Sequence, residues 1–461
     1  MLPTNWRRST PVLVGAAVLV IAVVVVVVAA LVRGGGPSGG GTAVADTPKL
    51  VVAKPALLPV AESAPEPTPA GLAATLGPVV ANPDLGLFSG RVTDALTGKE
   101  LWQQGEMVPL KPASTNKTLT AAAALLTLDR DARFTTTVVA PDQTKEPGVV
   151  VLVGGGDPTL SSAAPGQETL YRNAARISDL ADQVKKSGIR VTSIQVDVSF
   201  YSGPTMAPGW DPADILGGDV APMEPVMVDG GRIQPLTPES YRSTTPALDA
   251  GRVLAAALGV DPRAVTVVNR PARDDRQIAS VQSPPLIERM REMMNASDNV
   301  MAESIGREVA VAHGQPASFA GAAHAVTDLL KGEGVNLTGT AVLDSSGLSM
   351  DDRLTAMALD GVIAAATSDD HPKLRPLLDV LPIASGSGTL SNRFVSTRPE
   401  GAAGWLRAKT GSLTAVNTLA GVVTDVSGRV LTFALLSNDA GPTGLTSLDA
   451  VANALRSCGC G

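Results

Sequence analysis

The longest apolar run of the chain, PVLVGAAVLVIAVVVVVVAALV, extends from residue 11 to residue 32 without a charge. As a helix it would be about 33 Å long, the thickness of a bilayer core. Arg7 and Arg8 precede it on a short tail, which predicts the N-terminus inside. The run is longer than the core of a cleavable signal, and the small-residue stretch Ala43–Ala45 stands about ten residues beyond it. The pattern therefore predicts a retained single-pass membrane anchor over residues 11–32, with a tail at 1–10 and the rest exported. Secretion after signal cleavage is the alternative. Gly and Pro dominate the next stretch to about residue 70, so 33–70 reads as a linker.

Beyond residue 71 the period of the apolar positions changes repeatedly. AGLAATLGPVV has helical spacing, and LGLFSGRVTDALTGKELWQQ reads as two strands around a TGKE turn. An Ala/Leu-rich helix follows KPASTNKTLT and ends near Asp129. Between 133 and 283 come apolar strands (FTTTVVA, GVVVLVG, VTSIQVDV) and a helix near 174–187. Helical patterns dominate 284–369. GWLRAKTGSLTAVNTLAGVVTD and RVLTFALLSN then read as adjacent strands, and GLTSLDAVANALRS as a closing helix. Strands at both ends with helices between them predict an α+β arrangement whose antiparallel sheet is closed by the two ends of the chain.

Composition narrows the choices. At 461 residues, 44% of them hydrophobic, the chain can build two or three packed cores. A net charge of −7, with no basic run outside the N-terminus, argues against nucleic acid as a partner. Cys458 and Cys460 in the last four residues read as a frayed tail with no assigned chemistry, although export would permit a disulfide. His313, His324 and His371 lack the close pairing of metal ligands. Neither a metal nor an organic cofactor is predicted.

Candidate chemistry begins at Ser114. Ser-x-x-Lys places Ser114 and Lys117 one turn apart on the same helix face, where a lysine amine can take a serine proton. Alone, this spacing is more often an exposed first helical turn, since helix starts favour Ser. Two further stretches alter the balance: Ser297-Asp298-Asn299 and Lys409-Thr410-Gly411. Ser-x-x-Lys, Ser-Asp-Asn and Lys-Thr-Gly, in that order, are signatures of penicillin-interacting serine acyltransferases. Each falls in a fitting context: a helix start, an interhelical loop and a strand. Two decoys occur between them. Lys186-Ser187-Gly188 closes a helix, and Tyr171-Arg172-Asn173 at the front of that helix reads as structural.

The chain resembles the serine D-alanyl-D-alanine carboxypeptidase/endopeptidases, low-molecular-mass penicillin-binding proteins with an insertion between the first two motifs. VGGGDPTL (153–160), MVDGGRI (227–233), SDNVMAE (297–303) and LDSSGLS (343–349) carry the likeness further. The resemblance implies a penicillin-binding/β-lactamase-like transpeptidase fold, an antiparallel sheet with an all-helical part. Residues 71–132 and 284–461 would form the catalytic domain, and 133–283 an inserted, mainly β domain. It implies catalysis by Ser114, Lys117 and Ser297, with Asn299, Lys409, Thr410, Gly411 and Ser412 binding substrate. Lys117 would be the base, its amine kept partly neutral by burial and by Lys409 as a second cation. Ser297 would protonate the departing D-alanine nitrogen, and Asn299 would bond the substrate backbone. Lys409 and Thr410 would hold the free carboxylate, while Gly411 would let the ligand approach the sheet edge. The N–H groups of Ser114 and Ser412 would form the oxyanion hole. Asp298 is given a structural role.

The partners implied are peptidoglycan stem peptides ending in D-Ala-D-Ala, with β-lactams as acylating inhibitors. Carboxypeptidase and endopeptidase activity are not separable at this level. A serine β-lactamase shares the motifs but needs a further group to activate the deacylating water, and no glutamate sits in a recognisable pattern for it. A catalytically silent wall-binding protein is the remaining alternative, disfavoured by the intact Ser114, Lys117 and Lys409.

Overall fold

Both ends of the described chain meet in one sheet. The computed structural model describes residues 63–271, 275–395 and 401–460. Helix α1 (Pro69–Val80) leads to strands β1 (Leu87–Asp94) and β2 (Glu100–Gln104), then helix α2 (Lys117–Thr127). Strands β3 (Thr135–Ala140) and β4 (Val149–Val153), helix α3 (Ile177–Lys186) and strand β5 (Ser193–Asp197) follow. Next come α4 (Pro246–Leu258), β6 (Val265–Val268) and β7 (Arg276–Gln282). The helical part comprises α5 (Leu286–Asn295), α6 (Asn299–Ala312), α7 (Phe319–Gly332) and α8 (Ala356–Thr367). The chain closes through β8 (Leu406–Leu413), β9 (Val416–Thr424), β10 (Val430–Asn438) and α9 (Gly444–Ser457).

The first sheet is antiparallel in the order β2-β1-β10-β9-β8, with β8 at an edge. Period-two alternation along β10 decides what covers each face. Leu431, Phe433 and Leu435 are fully buried against Leu72 and Leu76 of α1 and Leu448, Val451 and Leu455 of α9. Ala434 and Leu436 point the other way, into the helical core. There the small residues Ala420 and Ala434 let α8 pack close to the sheet. Helix α2 lies inside this core, with Ala121 to Ala124 at 0% exposure. A helix that is apolar or small all round is buried on all sides.

The second sheet runs β6-β5-β4-β3-β7. β4, β5 and β6 are parallel, joined by crossovers that contain α3 and α4, while β3 pairs antiparallel with β4 and β7. Ile177, Leu180 and Val184 of α3 and Ala250 and Leu254 of α4 fill the core against it. A fourth cluster brings Trp210, Met223 and Met227 from the segment before α4 against Val300, Phe319 and Leu348.

Two expectations are corrected. The carboxyl terminus is not a frayed tail. Cys458 is buried and joined to Cys460 in a disulfide, and the Cys460 carbonyl accepts from the Thr68 N–H at 3.0 Å, at the cap of α1. The single-pass membrane localisation is not supported either. Among the described residues no helix is long and apolar enough to cross a membrane, and the run at 11–32 lies outside them.

Candidate active site

The nucleophile turn is held before any catalytic contact is made. Ala113 to Asn116 form a 3-10 turn leading into α2, with Ala113 in the left-handed region at φ 47°. The Pro112 carbonyl accepts from the hydroxyls of Thr115 at 2.6 Å and Thr418 of β9 at 2.7 Å. At Gly411, an added Cβ would lie 2.1 Å from the Thr418 hydroxyl and 2.9 Å from the Pro112 carbonyl. The missing side chain thus makes room for this turn, which is what lets β8 lie beside Ser114. At Gly347 (φ +81°) a Cβ would lie 1.9 Å from the Ala113 carbonyl, so the LDSSGLS loop reaches the turn only with glycine there.

Lys117 is the centre of the site. Its side chain has 0% exposure, and Nζ lies 2.9 Å from Ser114 Oγ, 2.6 Å from Asn299 Oδ1 and 2.8 Å from the Ser346 carbonyl. Burial pulls its amine down to about 8, although the carboxylates of Asp344, Glu303 and Asp298 favour the ammonium. Burial, rather than a second cation, is therefore the cause of its lowered basicity. Lys409, equally buried, places Nζ 2.9 Å from Ser297 Oγ and from the Thr410 carbonyl. Burial and then the neighbouring Lys117 hold Lys409 well below its ordinary value. The Thr410 hydroxyl meets that of Thr389 at 2.7 Å, and Ser412 is exposed just beyond on β8.

The second motif is a helix start. Asp298 caps α6, accepting from the Met301 N–H at 2.9 Å, and Ser297 precedes it with φ 58°. The other carboxylate oxygen of Asp298 accepts from the Tyr171 hydroxyl at 2.7 Å and from Arg232 at 3.2 Å. Burial opposes its charge, but Arg232, Arg242 and these hydrogen bonds hold its carboxyl well below the usual range. Asn299 engages protein at both ends of its amide, since Nδ2 donates to the Asp219 carbonyl at 3.1 Å.

Ser114, Lys117, Ser297, Asn299, Lys409, Thr410 and Gly411 thus converge from α2, the α5–α6 turn and β8. Motif reading missed the surrounding groups. Ser346 and Glu303 sat within the resembling stretches LDSSGLS and SDNVMAE without a role. Arg232 sat in MVDGGRI, and Tyr171, read as structural, has its hydroxyl on Asp298.

A buried lysine against a helix-start serine, a capped Ser-Asp-Asn turn and a lysine on an edge strand define a serine acyltransferase of the penicillin-interacting class. The family model described as D-Ala-D-Ala carboxypeptidase 3 (S13) matches residues 72–240 and 236–456. The chain belongs to this family. A second model, the N-terminal domain of the Carboxypeptidase Rv3627c-like proteins, matches residues 1–59. The chain is 63% identical to Carboxypeptidase DacB of Mycolicibacterium smegmatis, covering 100% of both chains. It is 61% identical to Carboxypeptidase Rv3627c of Mycobacterium tuberculosis, again covering 100% of both. In fold it matches penicillin binding protein 4 from Haemophilus influenzae at a TM-score of 0.69 and 21% identity, covering 84% of this chain and 99% of the other. The α+β class and the penicillin-binding fold expected from the motifs are those observed.

Proposed function

We propose that the site hydrolyses the terminal D-Ala–D-Ala bond of peptidoglycan stem peptides through an acyl-Ser114 intermediate. The observation that carries this reading is the buried amine of Lys117, 2.9 Å from Ser114 Oγ and lowered to about 8. Lys117 takes the hydroxyl proton as Ser114 Oγ attacks the carbonyl carbon of the penultimate D-alanine. Ser297 passes a proton to the amide nitrogen as the C–N bond breaks and D-alanine leaves. Water then cleaves the ester and restores the serine.

The substrate lies along the open edge of β8, its free carboxylate toward Lys409 and Thr410 and its carbonyl toward the N–H groups of Ser114 and Ser412. Asn299 steadies Lys117 through Oδ1, and a substrate amide oxygen replaces Asp219 on its Nδ2. β-Lactams enter the same place and leave Ser114 acylated. Residues 71–132 and 284–461 form the catalytic domain in this reading, with 133–283 inserted. The support is that β1, β2, β8, β9 and β10 share one sheet and β3 to β7 another.

Intact-mass spectrometry after incubation with penicillin, and separately with a D-Ala-D-Ala peptide, tests the proposal. The protein should carry one penicilloyl group and release D-alanine, and Ser114→Ala should do neither. An adduct on Ser114→Ala would overturn the assignment.

A further inference from the structure

Beneath Lys117 lies a carboxylate that the mechanism above does not use. Glu303, on α6 one turn beyond Asn299, has 0% exposure. One of its oxygens accepts the N–H groups of both Ser345 and Ser346 at 2.9 Å. The carbonyl of that same Ser346 accepts from Lys117 Nζ at 2.8 Å. The other oxygen of Glu303 pairs with Arg307 at 3.2 Å, one turn along the helix. Arg307 in turn stacks on Phe319 at 4.0 Å and on Tyr201 at 5.0 Å. Gly306, between them, leaves room for the loop, since a Cβ there would lie 2.0 Å from the Ser345 hydroxyl. Every link from α6 to the lysine amine is thus a direct contact between buried groups.

We infer that Glu303 is a positioning residue for the base: it clamps the Ser345–Ser346 backbone so that the Ser346 carbonyl fixes Lys117 Nζ against Ser114 Oγ. The inference rests on Lys117 being the base of Ser114. A lysine stem is flexible, and only fixed acceptors keep its nitrogen in one place. Asn299 and Ser346 are those acceptors, and both are set by α6: Asn299 as its first residue, Ser346 through Glu303. Charge links the two groups as well. Burial raises the Glu303 carboxyl to about 7, with Asp344 adding to the rise and Arg307 and the loop N–H groups opposing it. Lys117 feels Glu303 as one of three carboxylates that favour its ammonium. The groups facing Glu303 are Asp344 and Asp352 from the loop side, Lys117 from α2 and Arg307 on its own helix. Tyr201, from the segment after β5, reaches the cluster through Arg307.

The test compares Glu303→Ala, Glu303→Gln and Lys117→Ala with the wild-type chain. Stopped-flow penicillin acylation is measured from pH 5 to 10, separating non-covalent affinity from the acylation rate constant. Glu303→Ala should lower the rate constant by about 10- to 10²-fold, the cost of a misplaced reacting group, with affinity nearly unchanged. In Glu303→Gln the side-chain oxygen still accepts both loop N–H groups, so most of the rate at high pH should return. Its rising limb should move to lower pH, because an anion that favoured the ammonium is gone. A wild-type rate in Glu303→Ala, or an unmoved limb in Glu303→Gln, would overturn the inference. If Glu303→Ala does not fold, the limb of Glu303→Gln decides alone. Wild-type acylation in Lys117→Ala would instead remove the reading on which the inference stands.

Discussion

At Ser114 and Lys117 the decisive quantity is where a proton resides at neutral pH. In the proposed mechanism the amine acts as a base when neutral, and burial lowers it to about 8. Acylation should therefore rise as pH increases through about 8 and level off above it, whereas an ordinary exposed lysine would still be rising past 10. A pH profile of the acylation rate constant that is flat from 6 to 9 would contradict this. Lys409 makes the complementary prediction. It lies well below its ordinary value in the free protein, and a substrate carboxylate placed against it favours its charged form. A ligand with a free C-terminal carboxylate should therefore bind with uptake of a proton. Calorimetry of the Ser114→Ala protein with a D-Ala-D-Ala peptide, in buffers of different ionisation enthalpy, would reveal it. Heats independent of buffer would refute it.

At the level of elements, the turn that opens α6 depends on a strand-poor segment far from it in sequence. Tyr171 and Arg232 converge on Asp298, the cap that fixes Ser297 and Asn299. Removing one partner of a buried ion pair leaves an uncompensated charge, so Arg232→Ala should cost about 3–5 kcal/mol. Tyr171→Phe, which deletes one hydrogen bond to a charged group, should cost about 1.5–3 kcal/mol. The pH signature follows from the depressed carboxyl of Asp298. Its stabilisation is complete above the unfolded value near 3.9 and is lost as pH falls toward its lower folded value. Urea unfolding between pH 2 and 6 should show a smaller slope in Arg232→Ala than in the wild type. Equal slopes would place the acid sensitivity elsewhere.

Most elements were legible because their apolar periods were clean. The apolar stretch RVLTFALLSN announced a strand, and the Ala-rich run after Lys117 announced a helix. The motif residues were legible because their chemistry is local: two side chains one helical turn apart, or a cap and its helix. The groups that hold them were not. Tyr171, Arg232, Glu303 and Ser346 act across long sequence separations, and the link from Glu303 through Ser346 to Lys117 runs over backbone N–H and carbonyl groups that any residue supplies. The carboxyl terminus was misread for the same reason. Its anchoring depends on Thr68, whose nearness to Cys460 no local pattern encodes. At the scale of the whole molecule, function is thus written in short motifs and precision in long-range contacts.

The central position of β10 has a consequence for how the protein comes into being. β1 pairs with β10, Leu87 opposite Asn438, so roughly 350 residues separate the two partners. A ribosome adding about 5–20 residues per second would need roughly 20–70 s to supply the second after the first. For most of that interval the Pro112 turn lacks Thr418 and the β8 edge, and until its end Lys117 lacks the packed sheet that β10 completes. The nascent serine should then be an ordinary alcohol. A chain truncated before residue 430 should leave fluorescent penicillin unbound, and labelling in a synchronised synthesis should lag completion of the polypeptide rather than appearance of Ser114. Acylating chemistry would in this sense be withheld until the last strand has been made.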